Sequence, residues 1–334
     1  MSHRRAVVIG STAWGTTLAV LLARNGLAVT VLTRTAAEAA DLEAAREHRR
    51  RLPGVAFPET LRASADPDAL RTADLVVVGT PAQTVAGNLH AVAAHMPASA
   101  VVLSASKGIE IASGRRMSEV IRAELPGRPV AVLSGPNLSR EVANGLPGTT
   151  VIASAEASLD DLSAAFHTPA FRVYTTEDVV GVELGGALKN IFAIAGGMVD
   201  ALGYGDNAKA AVLTRGLAEM TRLGVAAGAD PLTFLGLAGI GDLIATAYSR
   251  LSRNRRLGEL LGRGLALGAA LAEIGETAEG AATTPAALGL AARHGVQMPI
   301  TEGLHAIMYE GQATEDAVRA LLQRDPKPER PFAG

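Results

Sequence analysis

The sequence predicts an α/β fold, a doubly wound and mostly parallel sheet, followed by an all-α domain. Three observations predict it. Short apolar runs alternate with helix-like spacers through the first half of the chain. Those runs are apolar throughout rather than at every second residue, as in strands covered on both faces. Past about Asp178 the strand-like runs stop, and long Ala-, Leu- and Gly-rich helical segments continue to about residue 320.

In chain order the strands are expected at 6–10, 28–33, 75–80, 100–106, 129–135, 149–154 and 171–176. Their helical spacers imply β-α-β units. Pro81, Gly108 and Pro136 follow closely on strand ends, the side of such a sheet where ligands bind. In the second half, Gly203, Gly228, Gly262 and Gly295 read as helix ends. The expected domains are 1–178, 179–324 and a tail, 325–334 (DPKPERPFAG), with the composition of a disordered end.

The composition excludes several classes. A chain of 334 residues with net charge −2 is long enough for two domains and lacks the basic excess of a nucleic-acid binder. There is no cysteine, hence no disulfide or thiolate metal site, and the seven histidines are scattered without metal-ligand spacing. The N-terminal apolar run stops at Gly10, too short for a signal peptide. No charge-free apolar stretch reaches the roughly 18 residues of a membrane span. A cytoplasmic protein without membrane insertion is expected. The basic run 46–51 (REHRRR) reads as a solvated helix end rather than a phosphate site.

Five stretches could carry chemistry. The turn after the first strand is Gly10-Ser11-Thr12-Ala13-Trp14-Gly15, a G-x-G-x-x-G dinucleotide turn with threonine at its middle glycine. Gly10 can make the tight bend and Gly15 the close helix packing. Thr12 adds bulk where phosphate would meet backbone, and a β-branched residue disfavours positive φ. The competing reading is a strand–helix turn without a ligand. The second strand ends in Arg34, where an NAD site places an acid; arginine suits the 2′-phosphate of NADP, or is a plain exposed side chain.

Lys189 stands alone among small and apolar residues in 181–200, with Asn190 beside it. A buried ammonium needs a partner, and burial favours the neutral amine that proton transfer uses. The alternative is a snorkelling lysine. Gly185, Gly186 and Ala193 point to close approach of something on that helix. Asp242 is the natural counter-ion for Lys189, with Thr246 one helical turn beyond it. Ser252 reads as the N-cap of a helix whose first turn holds Arg253, Asn254, Arg255 and Arg256. Cations there oppose the macrodipole, which an anionic ligand would justify; a solvated basic turn is the alternative. Lys107 and the Ser134-Gly135-Pro136-Asn137 segment follow strand ends as well.

Together these residues resemble the bacterial-type NAD(P)-dependent glycerol-3-phosphate dehydrogenases. The stretches WGTTLA, SASKGIE, LSGPN, GGALKNIFAIAGGM, AGIGDLIATAYSRLSRNRRLG and QMPITEGL occur in family order across nearly the whole chain. The resemblance implies a Rossmann domain plus a helical domain, commonly dimeric. It implies reversible hydride transfer from NAD(P)H to dihydroxyacetone phosphate, giving sn-glycerol 3-phosphate for phospholipid synthesis. Lys189 corresponds to the family's proton donor and acceptor, with Asp242 and Lys107 completing its polar cluster. Lys107, Gly135, Asn137, Lys189, Asn190, Asp242, Thr246, Ser252, Arg253 and Asn254 fall at substrate positions. Gly10, Thr12, Ala13, Trp14, Gly15, Arg34, Lys107, Ser139, Arg253, Thr277 and Glu279 fall at cofactor positions. NADP(H) is expected over NAD(H), without a metal. Thr12, Ala13 and Asn137 depart from the usual family pattern. The alternatives are a paralogue acting on a related phosphorylated or phosphonate ketone, and a non-catalytic NADP or phosphate-metabolite binder.

Overall fold

The computed structural model describes residues 3–323. The tail expected at 325–334 lies outside the described residues. Two compact units are present. The first comprises the chain through Lys107 together with Arg116–Val182; the second comprises Gly108–Arg115 and the chain from Glu183 onward. The sequence suggests a single break near Asp178, whereas Gly108–Arg115 belongs with the second unit. A long-range contact accounts for this: the Arg293 guanidinium donates to the carbonyls of Ser113 and Gly114, at 3.2 and 2.6 Å.

In the first unit the strands are β1 (Arg5–Ile9), β2 (Ala28–Leu32), β3 (Leu61–Ser64), β4 (Leu75–Val78), β5 (Val101–Ser104), β6 (Val130–Ser134), β7 (Gly148–Ala153) and β8 (Phe171–Thr176). They form one sheet in the order β3-β2-β1-β4-β5-β6-β7-β8, parallel throughout except between β6 and β7. The order reverses between β1 and β4, which makes the crevice outside their C-terminal ends the ligand position of the fold. The helices are α1 (Ala13–Arg24), α2 (Ala36–Ala45), α3 (Val85–Val92), α4 (Met117–Glu124), α5 (Ser139–Ala143) and α6 (Leu159–Phe166).

Alternate strand residues serve opposite faces. Val8, Val31, Val77 and Leu103 pack in one core with Leu18 and Leu22 of α1 and Phe166 of α6. Val7, Ile9, Val76 and Val102 pack in the other with Leu89 of α3 and Ile121 of α4. Both faces are covered, which is why the strands read as unbroken apolar runs. Strand β3 has no such signature. Its sequence is LRAS with only Leu61 buried, and an edge strand pairs through its backbone on one side with little apolar demand.

The second unit is helical. Its elements are α7 (Val179–Ala201, which begins in the first unit), α8 (Gly205–Ala226), α9 (Pro231–Phe234), a π-helical turn (Leu237–Gly241), α10 (Asp242–Tyr248), α11 (Arg253–Gly262), α12 (Leu267–Ile274), α13 (Glu279–His294), α14 (Pro299–Tyr309) and α15 (Thr314–Leu322). Within this unit α7 is the core helix, with Leu188, Ile191, Phe192 and Ile194 fully buried.

On α7, Gly185 and Gly197 make room for backbone, which is what approaches the helix closely. A Cβ on Gly185 would come within 2.6 Å of the Ala238 carbonyl oxygen. One on Gly197 would lie 2.0 Å from the Arg255 carbonyl oxygen, and one on Gly258 would lie 1.9 Å from that of Ile194. Helices α7 and α11 therefore cross backbone to backbone, and this crossing sets where Lys189 and the start of α11 stand. Two stretches, Val179–Ala201 and Pro231–Tyr248, are long and apolar enough to cross a membrane by length and composition, although neither is free of charge. The first is the core helix, with 89% of its apolar window buried, and each contains one member of a charged pair.

Candidate active site

At the glycine turn, three backbones meet. Gly10 has φ +105°, a conformation that side chains other than glycine's rarely adopt. A Cβ on Gly15 would lie 2.3 Å from the Gly10 carbonyl oxygen, and one on Gly79 would lie 3.0 Å from the Gly15 Cα. Gly79, just past β4, is the third glycine of this junction and carries no fingerprint in the sequence.

Thr12 does not occupy a strained position. Its φ is −71° and it is the N-cap of α1, so the expected conflict with positive φ does not arise. Its hydroxyl accepts from the Gly15 amide at 3.0 Å and donates to the Gly79 carbonyl at 2.6 Å. The cap occupies the third amide of the helix, and those of Ala13 and Trp14 have no intrahelical partners. The turn fits a dinucleotide: glycines bring backbone close, a helix N-terminus offers amides, and the buried Trp14 Nε1 and Thr80 Oγ1 lack partners. Replacing Thr12 by valine keeps the shape and removes both hydroxyl bonds. The expected loss is about 1–2 kcal/mol of stability, read as a lower denaturation midpoint; an unchanged midpoint contradicts the capping role.

Arg34 is exposed immediately beyond β2. Two residues not singled out from sequence also reach the turn. Glu38, in the first turn of α2, accepts from the Ser11 hydroxyl at 2.5 Å, and His48 meets the Ser11 carbonyl through Nε2 at 2.9 Å. They lie 27 and 37 residues away in sequence, and no local pattern marks such pairings. Because His48 is buried inside 46–51, that run is not simply a solvated helix end.

Elsewhere in the first unit, Lys107 Nζ donates to the Gly135 carbonyl at 2.9 Å. Gly135 has φ +144°, and a Cβ there would lie 3.1 Å from the Thr150 Cα. The Asn137 side chain is turned onto β7: Nδ2 donates to the Thr149 carbonyl at 2.8 Å and Oδ1 accepts from the Thr150 hydroxyl at 3.2 Å. Ser139 opens α5, and its carbonyl accepts from the Thr17 hydroxyl at 3.2 Å.

In the second unit a compact polar cluster forms around Lys189 in an apolar interior. Lys189 Nζ lies 2.9 Å from Asp242 Oδ1 and 2.5 Å from Thr246 Oγ1, and the Thr246 hydroxyl also reaches Asp242 Oδ1 at 3.2 Å. All three side chains are buried. Lys189 comes from α7, while Asp242 and Thr246 share one face of α10. The π-helical turn before Asp242 is packed without space; a Cβ on Gly239 would lie 2.1 Å from the Phe234 carbonyl oxygen.

Asn190 and Asn254 are engaged with each other. Asn254 Nδ2 donates to Asn190 Oδ1 at 2.8 Å, and Asn254 Oδ1 accepts from the Gly280 amide at 2.9 Å. This amide chain ties α7 to the starts of α11 and α13. Ser252 caps α11 by accepting from the Arg255 amide at 3.2 Å. The cations of that first turn have carboxylate partners, so an anionic ligand is not needed to explain them. Arg255 meets Asp200 and Glu259 at 3.0 and 2.9 Å, Arg256 meets Glu273 at 3.4 Å, and Arg253 meets Glu276 at 3.4 Å with both groups half exposed. Thr277 is exposed ahead of α13, and Glu279 is its first residue.

Comparison with known proteins adds to this geometry. A family model described as NAD-dependent glycerol-3-phosphate dehydrogenase N-terminus matches residues 5–160, and its C-terminal counterpart matches 178–319. The chain belongs to the NAD-dependent glycerol-3-phosphate dehydrogenase family. It is 48% identical to the glycerol-3-phosphate dehydrogenase [NAD(P)+] of Streptomyces avermitilis over 98% of both chains. The enzyme of that name from Chlorobium limicola is 46% identical, over 96% of this chain and 98% of that one. A solved structure, the glycerol-3-phosphate dehydrogenase of Coxiella burnetii, superposes with a TM-score of 0.92 at 37% identity, over 96% of this chain and 99% of that one. The family match spans both units, the one with the glycine turn and the one with the lysine cluster.

Proposed function

We propose that this chain interconverts dihydroxyacetone phosphate and sn-glycerol 3-phosphate with NAD(P)H, and that Lys189 is its proton donor and acceptor. The observation that carries the proposal is the buried Lys189–Asp242–Thr246 cluster. An ammonium is retained in an apolar interior only with a charged partner, and Asp242 supplies it. Asp242 and Thr246 orient Nζ; Lys189 gives its proton to the developing alkoxide at C2 during reduction and takes it back during oxidation.

The bound nicotinamide supplies the hydride. Gly10, Thr12, Ala13, Trp14 and Gly15 would hold its pyrophosphate through the start of α1, with Arg34 at the adenosine end favouring NADPH. The family correspondence adds Lys107, Ser139, Arg253, Thr277 and Glu279 as cofactor contacts. It adds Lys107, Gly135 and the Ser252–Asn254 segment as substrate contacts. The Asn137 and Asn190 side chains act as braces, since their amides are engaged within the protein. Binding energy from the remote phosphate then positions the reacting carbon.

The same reading includes a homodimer in the cytoplasm. Its support is the exposed apolar side chains of Leu232, Leu235, Ile244, Tyr248 and Leu251 and a sequence without cysteine. The test is loss of NADPH absorbance on adding dihydroxyacetone phosphate to the purified chain. Steady turnover is expected, faster with NADPH than with NADH at low cofactor. No turnover with either overturns the function.

A further inference from the structure

We propose that Asp200 is a positioning residue for the reaction: by holding Lys209 and Arg255 on one carboxylate oxygen, it fixes the start of α11 relative to Lys189. The inference rests on the proposed function, in which the Ser252–Asn254 segment holds the substrate's phosphate and Lys189 serves its ketone. The whole network lies in the second unit. Lys209, buried on α8, donates to Asp200 Oδ2 at 2.7 Å. Arg255 Nε donates to the same oxygen at 3.0 Å, Nη1 donates to the Tyr248 carbonyl at 3.2 Å, and Nη2 meets Glu259 at 2.9 Å. The Lys209 ammonium also lies 4.3 Å from the centre of the Tyr248 ring.

The network joins the three helices that carry the second-unit site. Asp200 lies near the end of α7, which supplies Lys189. Tyr248 closes α10, which supplies Asp242 and Thr246. Arg255 stands in the first turn of α11, just past the Ser252–Asn254 segment. The corner between α10 and α11 is shaped locally: the Ser252 amide donates to the Ser249 carbonyl and the Leu251 amide to the Ser249 hydroxyl, both at 3.1 Å. Arg250 and Leu251 are exposed. Bonds within the corner give it form but do not tie it to α7. Arg255 does, by gripping the last carbonyl of α10 and the carboxylate of α7 with one planar head.

The helix crossing explains why such a tie is needed. Helices α7 and α11 touch at Gly197 against the Arg255 carbonyl and at Gly258 against the Ile194 carbonyl. Glycines let helices meet but interlock no side chain at that point, so contacts to either side set the crossing angle. Asn254 reaches Asn190, one turn before the crossing on α7, and Arg255 reaches Asp200, one turn after it. These two ties leave from adjacent residues of α11 and oppose rotation in opposite senses. Without the second, α11 can swing and carry Ser252–Asn254 away from Lys189, while Ser252 still caps the Arg255 amide. Stability does not account for the arrangement. Two cations on one carboxylate oxygen repel each other, and a buried ion pair gains little over apolar packing.

The experiment follows NADPH oxidation by the full chain with dihydroxyacetone phosphate, and its competitive inhibition by inorganic phosphate. The substrate needs the phosphate anchor and Lys189 at a fixed separation, whereas inorganic phosphate needs the anchor alone. In Asp200→Asn, kcat/KM is expected to fall about ten- to a hundredfold, while the phosphate inhibition constant and the NADPH affinity, read by fluorescence, stay within about twofold. Lys209→Met should lose kcat/KM in the same way. Lys209→Arg restores the cation and should stay within about threefold of wild type. If Asp200→Asn does not bind NADPH, Arg255→Lys carries the test, because an ammonium cannot span the three acceptors of the guanidinium. Unchanged kcat/KM, a phosphate inhibition constant that rises in step with the loss, or equal losses in Lys209→Met and Lys209→Arg overturns the assignment. Wild-type turnover that phosphate does not inhibit removes the anchor and this inference with it. Wild-type chain without turnover overturns the proposed function; wild-type turnover with an unaffected Asp200→Asn overturns this inference alone.

Discussion

Replacing Lys189 by methionine is expected to lower kcat for dihydroxyacetone phosphate reduction by about 10²- to 10⁴-fold and to leave NADPH affinity unchanged. The first number follows from the proton's role. Without Nζ, the alkoxide must take its proton from water in a site whose interior is apolar. The second follows because Lys189 is engaged with Asp242 and Thr246 and is not among the residues proposed to contact the cofactor. Stability moves too. Lys189 and Asp242 have side-chain exposures of 7% and 3%, and removing one partner of such a pair costs about 3–5 kcal/mol by stranding the other charge. A double variant, Lys189→Met with Asp242→Leu, separates the two effects. It should recover most of the lost thermal stability and none of the activity. Recovery of turnover by the double variant, or full turnover by Lys189→Met, removes Lys189 from the mechanism.

Glu219→Gln is expected to abolish a pH dependence of stability that wild type shows between about pH 4.5 and 7. Glu219 sits on α8, 3% exposed, and caps α14 from outside its own helix. It accepts from the Ile300 amide at 2.7 Å, the Thr301 amide at 3.3 Å and the Thr301 hydroxyl at 3.0 Å. Those amides belong to the first turn of α14, where Met298 offers no side-chain cap. Burial dominates and pushes the carboxyl up from 4.5 to about 7, although the three hydrogen bonds favour the charged form. The folded state thus binds the proton more tightly than the unfolded chain. Stability is fully present below the unfolded pKa and is lost as pH rises through the folded one. The span corresponds to about 3 kcal/mol, several degrees in Tm for a chain of this size. Glutamine cannot ionise, so the variant's Tm gains on wild type as pH rises from 5 to 8. It also turns an NH2 toward Thr301 and lowers stability at every pH; the slope carries the test. Parallel Tm curves for the two proteins rule out titration of Glu219 in this range.

Several parts of this site could be read in one dimension because they are local. Ser252 lies three residues from the amide it caps. Asp242 and Thr246 are one helical turn apart, so any helix through them sets both on one face. Their pairing with Lys189 could be expected because two lone opposite charges in apolar segments each need a partner. Thr12 was misjudged for a different reason. Its hydroxyl bond depends on where Gly79 stands, and the chain reaches Gly79 only after three further strands. The α7 glycines pointed to something approaching closely, but not to the carbonyls of Arg255 and Ala238 as what approaches.

Glu38, His48 and Glu219 mark the same boundary. Each acts across 27 to 82 residues of chain, Glu38 on the Ser11 hydroxyl, His48 on a carbonyl and Glu219 mainly on amides, and no local pattern marks such partners. Periodicity and charge economy in the chain alone were enough for the fold class, the helical second half and the lysine–aspartate pair, since burial constrains residue type at each of those positions. Packing alone decided which carbonyl Thr12 donates to, which carbonyl His48 holds and which helix Glu219 ends. Hydrogen bonds to backbone and contacts at missing Cβ atoms exist only once distant segments are brought together, and they leave no trace in the order of residues beforehand.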